Sequence, residues 1–571
     1  MGFLQTITKS KFWLPATLLL LVGVNWLAAK FHHRIDFTNE KRFTLSSPTK
    51  KIIRQLPGTV TIEVFLKGAS NAGFTRLGKA TEELLQEFKE LGGTNIQYRF
   101  INPQDEVEGT QVTYGDTLLA MGLTPINLTS QVKQGQQQQL VYPVALMHYE
   151  DRILPIELYG GKKAAISFKE INSAEAQLEY KLAEAMTKLT ANTLPMIAYS
   201  FGNGEPDPQS PVVYDLIENV LRPDYNFFKF NLNTQPLIPD TFKLLMIVKP
   251  KQAFTEEEKV KIDQFVMRGG KVLLFVDKLE AEMDSLRILN QVVAYDRGLE
   301  LNDLLFKYGA RINGDLVMDL QCDFLPFDVN GNGQYDFLHW NYFPLFESRD
   351  NHPINKGLGL VAGKFVNSID TVEAENIRKT ILLSSSANSR SISTPALISG
   401  KENVNEPQNE KFKKANIPTA VLLEGKFTSL YKNRASQAMM DSMAKYGANF
   451  LQECVTDNKI IVVADGDMVL NAFIKQQPIP MGMNPFTYGS QYEYQFANRD
   501  FLQNCLNYLI NPNGLAEVKA KDYSISLLDS NKVKTATTKW QVINIIVPLS
   551  LILLFGAVYQ WWRKRKYAKN N

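Results

Sequence analysis

Cysteine is almost missing from this sequence: Cys322, Cys454 and Cys505 are the only three in 571 residues. They are too few for a disulfide scaffold, and none stands in the paired CxxC spacing of a zinc site. Histidine is equally sparse, with five residues, two of them adjacent (His32 and His33), which leaves little for a histidine-rich metal centre. Excess charge is also lacking. The formal charge of +3 contains +5 from the last nine residues and +2 from the first 29, which leaves −4 for residues 30–539. A mildly acidic body is not the footprint of a nucleic-acid binder. With 44% hydrophobic residues, 34 Gly and 26 Pro, the chain is neither collagenous, nor a long coiled coil, nor disordered. Its length predicts about three or four domains.

Two long uncharged runs are present. Trp540–Trp562 holds 23 residues without a charge, enough to cross a hydrocarbon core of roughly 30 Å. Trp540 at one edge and Tyr559, Trp561 and Trp562 at the other fit interfacial aromatic belts. The cluster Arg563, Lys564, Arg565, Lys566 and Lys569 then places the C-terminus in the cytoplasm by the positive-inside rule. Phe12–Ala29 is a second run of 18 residues. Leu27-Ala28-Ala29 is a poor cleavage site and charge resumes at Lys30, so an uncleaved anchor is favoured over a signal peptide, with Lys9 and Lys11 inside. Two spans with both ends inside make an inner-membrane protein whose bulk is periplasmic.

Between the spans the pattern is α/β. Residues 59–66 alternate like a strand, a helix follows near Lys79–Leu91 with Gly92-Gly93 after it, and Asn95–Ile101 is a second strand, together a βαβ unit. Gln131–Gln139 reads as a polar loop and Val141–Ile156 as a hairpin around Tyr149–Arg152. Asn172 with Glu175 three residues on is placed as a capping box opening a helix. From Met196 the alternation is clearest: strands at Met196–Phe201, Phe227–Asn231 and Leu244–Lys249, a helix near Val212–Leu221, and a helix opened by the Thr255/Glu258 capping box and closed by Gly269-Gly270. Lys271–Asp277 is a continuously apolar strand, as expected when helices cover both faces. The pattern predicts a doubly wound parallel sheet. It weakens after about Ala294, and residues 400–416 read as a polar linker. The predicted domains are 1–33 (tail and first span, about 12–29), 34–165, 166–535, the span 540–562, and a basic tail 563–571.

Chemistry is harder to find. A phosphate cradle needs G-x-x-x-x-G-K-[ST]. Gly357 to Gly363-Lys364-Phe365 has five intervening residues, and Phe365 cannot ligate magnesium, so the chain is not expected to be an ATPase. Asp328-x-Asn330-x-Asn332-Gly333 matches the opening of an EF-hand loop with Asp336 at position nine, but His339 stands where a bidentate glutamate belongs. An Asx-turn explains the same residues. No Ser or Cys sits in an elbow between strand and helix, and Ser384-Ser385-Ser386 follows a strand with no histidine near it in sequence. No metal or other cofactor is expected. Ligands of open parallel sheets sit beyond the carboxyl ends of the strands. Gly202-Asn203-Gly204-Glu205, Asp277 and Asp465-Gly466-Asp467 fall at such ends. Gly202, Asn203, Gly204, Glu205, Asp465 and Asp467 are therefore the candidate ligand-binding residues, although strand ends need turns whether or not they bind anything.

Five segments together resemble one family. Arg34-Ile35-Asp36-Phe37-Thr38 with Lys41-Arg42-Phe43-Thr44-Leu45-Ser46, Gly202–Glu205, Arg268–Leu274, Leu423–Ser429, and Trp540–Asn544 leading into Pro548 are similar to the gliding-motility ABC transporter subunit GldG family, in family order across residues 34–548. The resemblance implies a non-enzymatic substrate-binding or auxiliary subunit beside an ABC permease and a cytoplasmic ABC ATPase. It also implies a glutamine-amidotransferase-like α/β region without the nucleophile. Asn203 stands where that family commonly has histidine, which weakens an acid–base role for the turn. Two other classes compete with it: an envelope hydrolase or transferase using Glu205, Asp465 and Asp467, and an anchored glycan or peptide receptor without a transporter.

Overall fold

A computed structural model describes residues 18–23, 44–69, 71–132, 135–159, 168–191, 193–283, 286, 291–328, 332–347, 352–399, 409–510, 514, 515, 518 and 530–567. Residues 18–23 are helical; the rest of the first apolar run, and most of the opening segment of the family resemblance, lie outside these.

The N-terminal part is built around a four-stranded sheet packed with helices. Helix α1 (Ser47–Arg54) is capped by Ser46, whose hydroxyl accepts from the Thr49 amide. Strands β1 (Val60–Val64) and β2 (Ile96–Phe100) run parallel with α2 (Ala72–Gly92) between them. Strands β3 (Val144–Tyr149) and β4 (Arg152–Glu157) form a hairpin added antiparallel to β1, giving the order β2-β1-β3-β4. Helix α3 (Phe168–Thr190) shares the core of Val60, Ile62, Phe74, Leu85, Leu178 and Leu182. Two expectations fail here. Asn172 and Glu175 lie inside α3 instead of opening it, and their side chains take Arg76 of α2 as a partner across the helix pair. The stretch expected as a polar loop belongs to an antiparallel pair, Ile126–Val132 with Gly135–Val141, because main-chain pairing needs no apolar side chains.

The second sheet has seven strands: β5 (Met196–Phe201), β6 (Asn226–Asn231), β7 (Phe242–Val248), β8 (Lys271–Phe275), β9 (Ile377–Ser384), β10 (Pro418–Gly425) and β11 (Asn458–Val463). Their order is β9-β10-β11-β8-β7-β5-β6. The run β6-β5-β7-β8-β11 is parallel, but β10 pairs antiparallel with β11 and β9 pairs antiparallel with β10, so the sheet is mixed and not parallel throughout.

Alternate residues of the central strands enter two apolar clusters, as the two-residue period of a strand requires. Ile197, Met246, Leu273 and Val463 meet Leu216, Val220, Phe501 and Leu506 on one face. Ala198, Ile247, Leu274 and Val462 meet Ile262, Phe265, Leu304 and Leu305 on the other. The first face is covered by a π-helical run Asp215–Leu221, where a regular helix is expected from the sequence, and by α6 (Asn498–Ile510). The second is covered by α4 (Glu256–Met267) and α5 (Asn302–Tyr308). Each fully buried aliphatic or aromatic side chain contributes about 1.5–3 kcal/mol relative to exposure, so both faces must be covered for strands this apolar.

Helix α7 (Ser530–Tyr567) is a separate unit. Within it, the 27 residues Lys539–Arg565 are long and apolar enough to cross a membrane. Leu553 and Phe555 are 72% and 74% exposed, an apolar surface that water does not favour and a bilayer does. Pro548 lies inside it.

Candidate functional site

Strands β5, β7, β8 and β11 end side by side, since Phe275 pairs with both Val248 and Val463. The segments that follow them therefore emerge along one edge of the sheet: Gly202–Glu205, Lys249, Asp277 and Asp465–Asp467. The edge carries two arrangements.

The first is a carboxylate cluster. One oxygen from each of Asp277, Asp465 and Asp467 lies within 4.8 Å of the others. Lys249 provides the positive charge. Its Nζ is 2.6 Å from Asp467 Oδ1, 3.2 Å from Glu282 Oε2 and 3.4 Å from Asp277 Oδ2. Glu282 also takes Arg297, at 2.7 Å. Lys249 adopts a left-handed backbone, with φ of 44°, an unfavourable conformation for a residue with a Cβ. Gly466 permits the approach: a Cβ there would lie 2.8 Å from Lys249 Cγ and 3.0 Å from Asp277 Oδ2. Backbone amides complete the network. Asp465 Oδ1 accepts from Asp467 N (2.8 Å) and Met468 N (3.1 Å), and Oδ2 accepts from Lys364 N (2.9 Å). Asp277 Oδ1 accepts from Gly466 N.

The three carboxyls titrate apart although they are neighbours. Burial raises Asp465 well above the ordinary range, and Asp277 and Asp467 add to it. Burial is the largest influence on Asp467 and would raise it, but Lys249, Lys364 and Arg297 together outweigh it and hold that carboxyl below its usual value. Lys249 is raised: burial opposes its charge, and Asp467, Asp277 and Glu282 overcome that. Burial, opposed by Lys249, leaves Asp277 at about 6 against an ordinary 3.8. The folded protein thus holds the Asp277 proton more tightly than the unfolded chain. That stability is complete below the ordinary value and is lost as pH rises through about 6. Asp277→Asn, uncharged at every pH, removes the slope. The denaturation free energy of the natural protein minus that of Asp277→Asn should fall from about pH 4 to about pH 7. A difference constant over that range would mean that Asp277 does not titrate there.

The second arrangement is the turn Gly202–Glu205. Glu205 is buried, and its carboxylate accepts from Ser200 Oγ and from Asn203 N, both at 2.7 Å. Burial raises its pKa and the Ser200 bond opposes that. Asn203 Nδ2 reaches Glu258 Oε2 at 3.1 Å, while Asn203 O accepts the amides of Lys251 and Gln252 at 2.8 Å. Gly204, with φ of 83°, is required because a Cβ there would lie 2.9 Å from Lys251 Cβ. Glu205 thus closes its own turn, and Asn203 ties that turn to the loop after β7. Among the described residues no hydrogen bond or ion pair joins it to Asp465 or Asp467. Of the six candidate residues, Asp465 and Asp467 come together and Gly202–Glu205 stand apart from them. Lys249, Glu282 and Arg297 are the members that sequence reasoning misses; a lysine between an apolar strand and Pro250 is the one local hint.

The remaining sequence features are structural. Ser386 Oγ donates to Asp319 Oδ1 at 2.5 Å, and Ser385 Oγ faces Ser389 Oγ at 2.6 Å. Cys322, Cys454 and Cys505 are free and buried, and burial raises the Cys454 thiol to about 11 and Cys322 further still, the opposite of a reactive thiolate. The Asp328 carboxylate accepts the amides of Asn332 and Gly333, each at 3.1 Å, and Asn332 Oδ1 accepts the amide of Gln334 at 2.9 Å as in an Asx-turn; Asn330 lies outside the described residues. Gly73-x-x-x-x-Gly78-Lys79-Ala80 is nearer to a phosphate cradle in spacing than the glycines at 357–363, but it lies within α2 and has no loop to offer.

The comparisons with known proteins agree with an accessory role. Residues 194–505 match the family model described as an ABC-type uncharacterized transport system, and residues 39–148 match a domain of unknown function, DUF7088. An uncharacterized protein of Borreliella burgdorferi is 20% identical over 566 residues, 97% of each chain. Among solved structures, the mmIFT52 N-terminal domain aligns with 55% of this chain and 97% of its own, at 12% identity and a TM-score of 0.31. The exo-beta-1,4-mannosidase Op5Man5 from Opitutaceae bacterium strain TAV5 aligns with 74% of this chain and 51% of its own, at 9% identity and 0.18. Neither structural likeness carries an argument.

Proposed function

This chain belongs to the ABC-type uncharacterized transport system family of transporter auxiliary proteins, and from that premise we propose that it is a non-enzymatic, membrane-anchored auxiliary subunit of an ABC transporter complex. Family membership gives it a transport-associated accessory role. The finer reading adds an ABC permease and a cytoplasmic ABC ATPase as partners, two membrane spans with both termini in the cytoplasm, and a periplasmic body. We further propose that this complex serves gliding motility and that the seven-stranded region is a glutamine-amidotransferase-like fold without the nucleophile, readings supported by the sequence resemblance to the GldG family. The observation that carries the reading is the family match over the α/β region together with the apolar helix Lys539–Arg565 and its basic end. ATP hydrolysis on a partner would move the spans, and the body would pass that motion to an envelope ligand.

Topology is the experiment that tests it. Protease added outside spheroplasts should digest the body, residues 44–522, while inverted vesicles protect it. Protection in spheroplasts would place the body in the cytoplasm and refute the reading.

The competing enzyme reading rests on Glu205, Asp465 and Asp467. Their carboxylates are engaged with main-chain amides, Ser200 and Lys249, which favours a structural role. Glu205→Gln separates the two readings. The amide can still accept from Asn203 N and donate to Ser200 Oγ, so stability should change by less than about 1 kcal/mol and partner binding should persist. An envelope hydrolase or transferase would instead lose nearly all turnover.

A further inference from the structure

We propose that a basic cleft beside α5 binds a phosphate-bearing anion carrying at least two negative charges. The cleft has a volume of about 630 Å³. It lies between α5, the strand Ala310–Ile312 and the loop Leu430–Arg434. Lys278, Lys307, Arg311 and Arg434 line it, against a single acid, Asp303. In a body whose net charge is negative, four cations around one cleft stand out.

The charge there is unspent. Elsewhere in this region cations are saturated: Lys249 has three carboxylates, and Lys259 has Glu256 and Asp303. That pairing with Lys259, at 2.8 Å, also takes up the cleft's one acid. Lys307 and Arg434 are exposed, and their side chains have no hydrogen-bond or ion-pair partner among the described residues. Arg311 donates from Nε to Asn313 and reaches Asp370 only at 3.9 Å, both members of that pair being more than half exposed, so water screens it. Lys278 leans on Asn302 at 3.0 Å and sees Asp296 at 3.5 Å.

Two guanidinium forks and two ammonium groups suit an oxyanion with several acceptor oxygens. The volume exceeds what a single phosphate fills, and Phe306, 52% exposed on the same wall, offers an aromatic face to the organic part of such a ligand. A free phosphorylated solute and an anionic lipid headgroup present the same chemistry.

The site does not depend on the transporter reading, because the assay needs no partner. The full chain in neutral detergent is titrated calorimetrically with inorganic pyrophosphate and, separately, with bis(glycerophospho)glycerol, the doubly charged soluble headgroup of cardiolipin. Saturable binding that weakens with salt is expected. The Lys307→Ser/Arg434→Ser variant should lose affinity by about tenfold or more, and Lys413→Ser, an exposed lysine outside the cleft, should lose none. Both cleft substitutions are at exposed positions, so circular dichroism of the variant should be unchanged. Tighter binding of pyrophosphate assigns the site to a free phosphorylated solute, and tighter binding of the headgroup assigns it to lipid. No saturable binding of either probe, or equal binding in the double variant, overturns the proposal.

Discussion

Lys249→Met is expected to destabilise the protein by about 3–5 kcal/mol, the cost of removing one partner from a buried charge cluster. Methionine keeps the volume of the side chain, so packing is not the cause. The substitution leaves Asp277, Asp467 and Glu282 facing one another without the ammonium that holds them, in a site where Lys249 is 3% exposed. The loss should be larger at pH 8 than at pH 5, because acid neutralises carboxyls that burial already pushes toward protonation. Urea denaturation of the full chain in detergent, followed by tryptophan fluorescence, measures it. Adding Asp467→Asn should recover part of the loss by removing one of the stranded charges. A Lys249→Met protein as stable as the natural one would mean that the network contributes nothing to the sheet edge.

Deleting residues 540–571 is expected to have the second large effect: loss of the transporter partners. The 23 uncharged residues Trp540–Trp562 provide the apolar surface, and in the proposed reading the basic residues after them orient it. Residues up to Asp522 form a compact unit separate from the deleted helix, so thermal unfolding of the body should be little changed. An anchored receptor that worked without a transporter would keep its ligand affinity in this variant, whereas an assembled subunit loses its complex. The two outcomes are read by affinity capture of partners and by ligand titration on the same preparation.

Local signals made much of the second sheet legible. The Thr255/Glu258 capping box is present, with Glu258 Oε2 accepting from Thr255 N at 2.7 Å, and the continuous apolar run at 271–277 is a central strand with both faces covered. Each of these depends on residues a few positions apart. The capping box placed at Asn172 is misleading because a helix can begin before a good cap when its neighbour supplies a better partner, here Arg76 on α2. The antiparallel edge was hidden for a different reason. An apolar strand such as 418–425 reads the same in either direction, and only its hydrogen-bond register with β11 settles it. At the strand ends, Asp465 and Asp467 could be picked out by position. Their partner Lys249 could not, since it meets Asp467 across 218 residues of sequence and its chemistry exists only after folding. Glu205 could be located but not interpreted: its position suggests a ligand, and its hydrogen bonds to Ser200 and Asn203 show a turn holding itself together.

Affinity capture of the tagged full chain from membranes in mild detergent, with the co-purifying proteins identified by mass spectrometry, addresses the auxiliary-subunit reading at its root. That reading predicts stoichiometric recovery of an ABC permease and an ABC ATPase, both lost from the 1–539 variant. Recovery of the intact chain alone, under conditions that preserve other membrane complexes in the same extract, would contradict it.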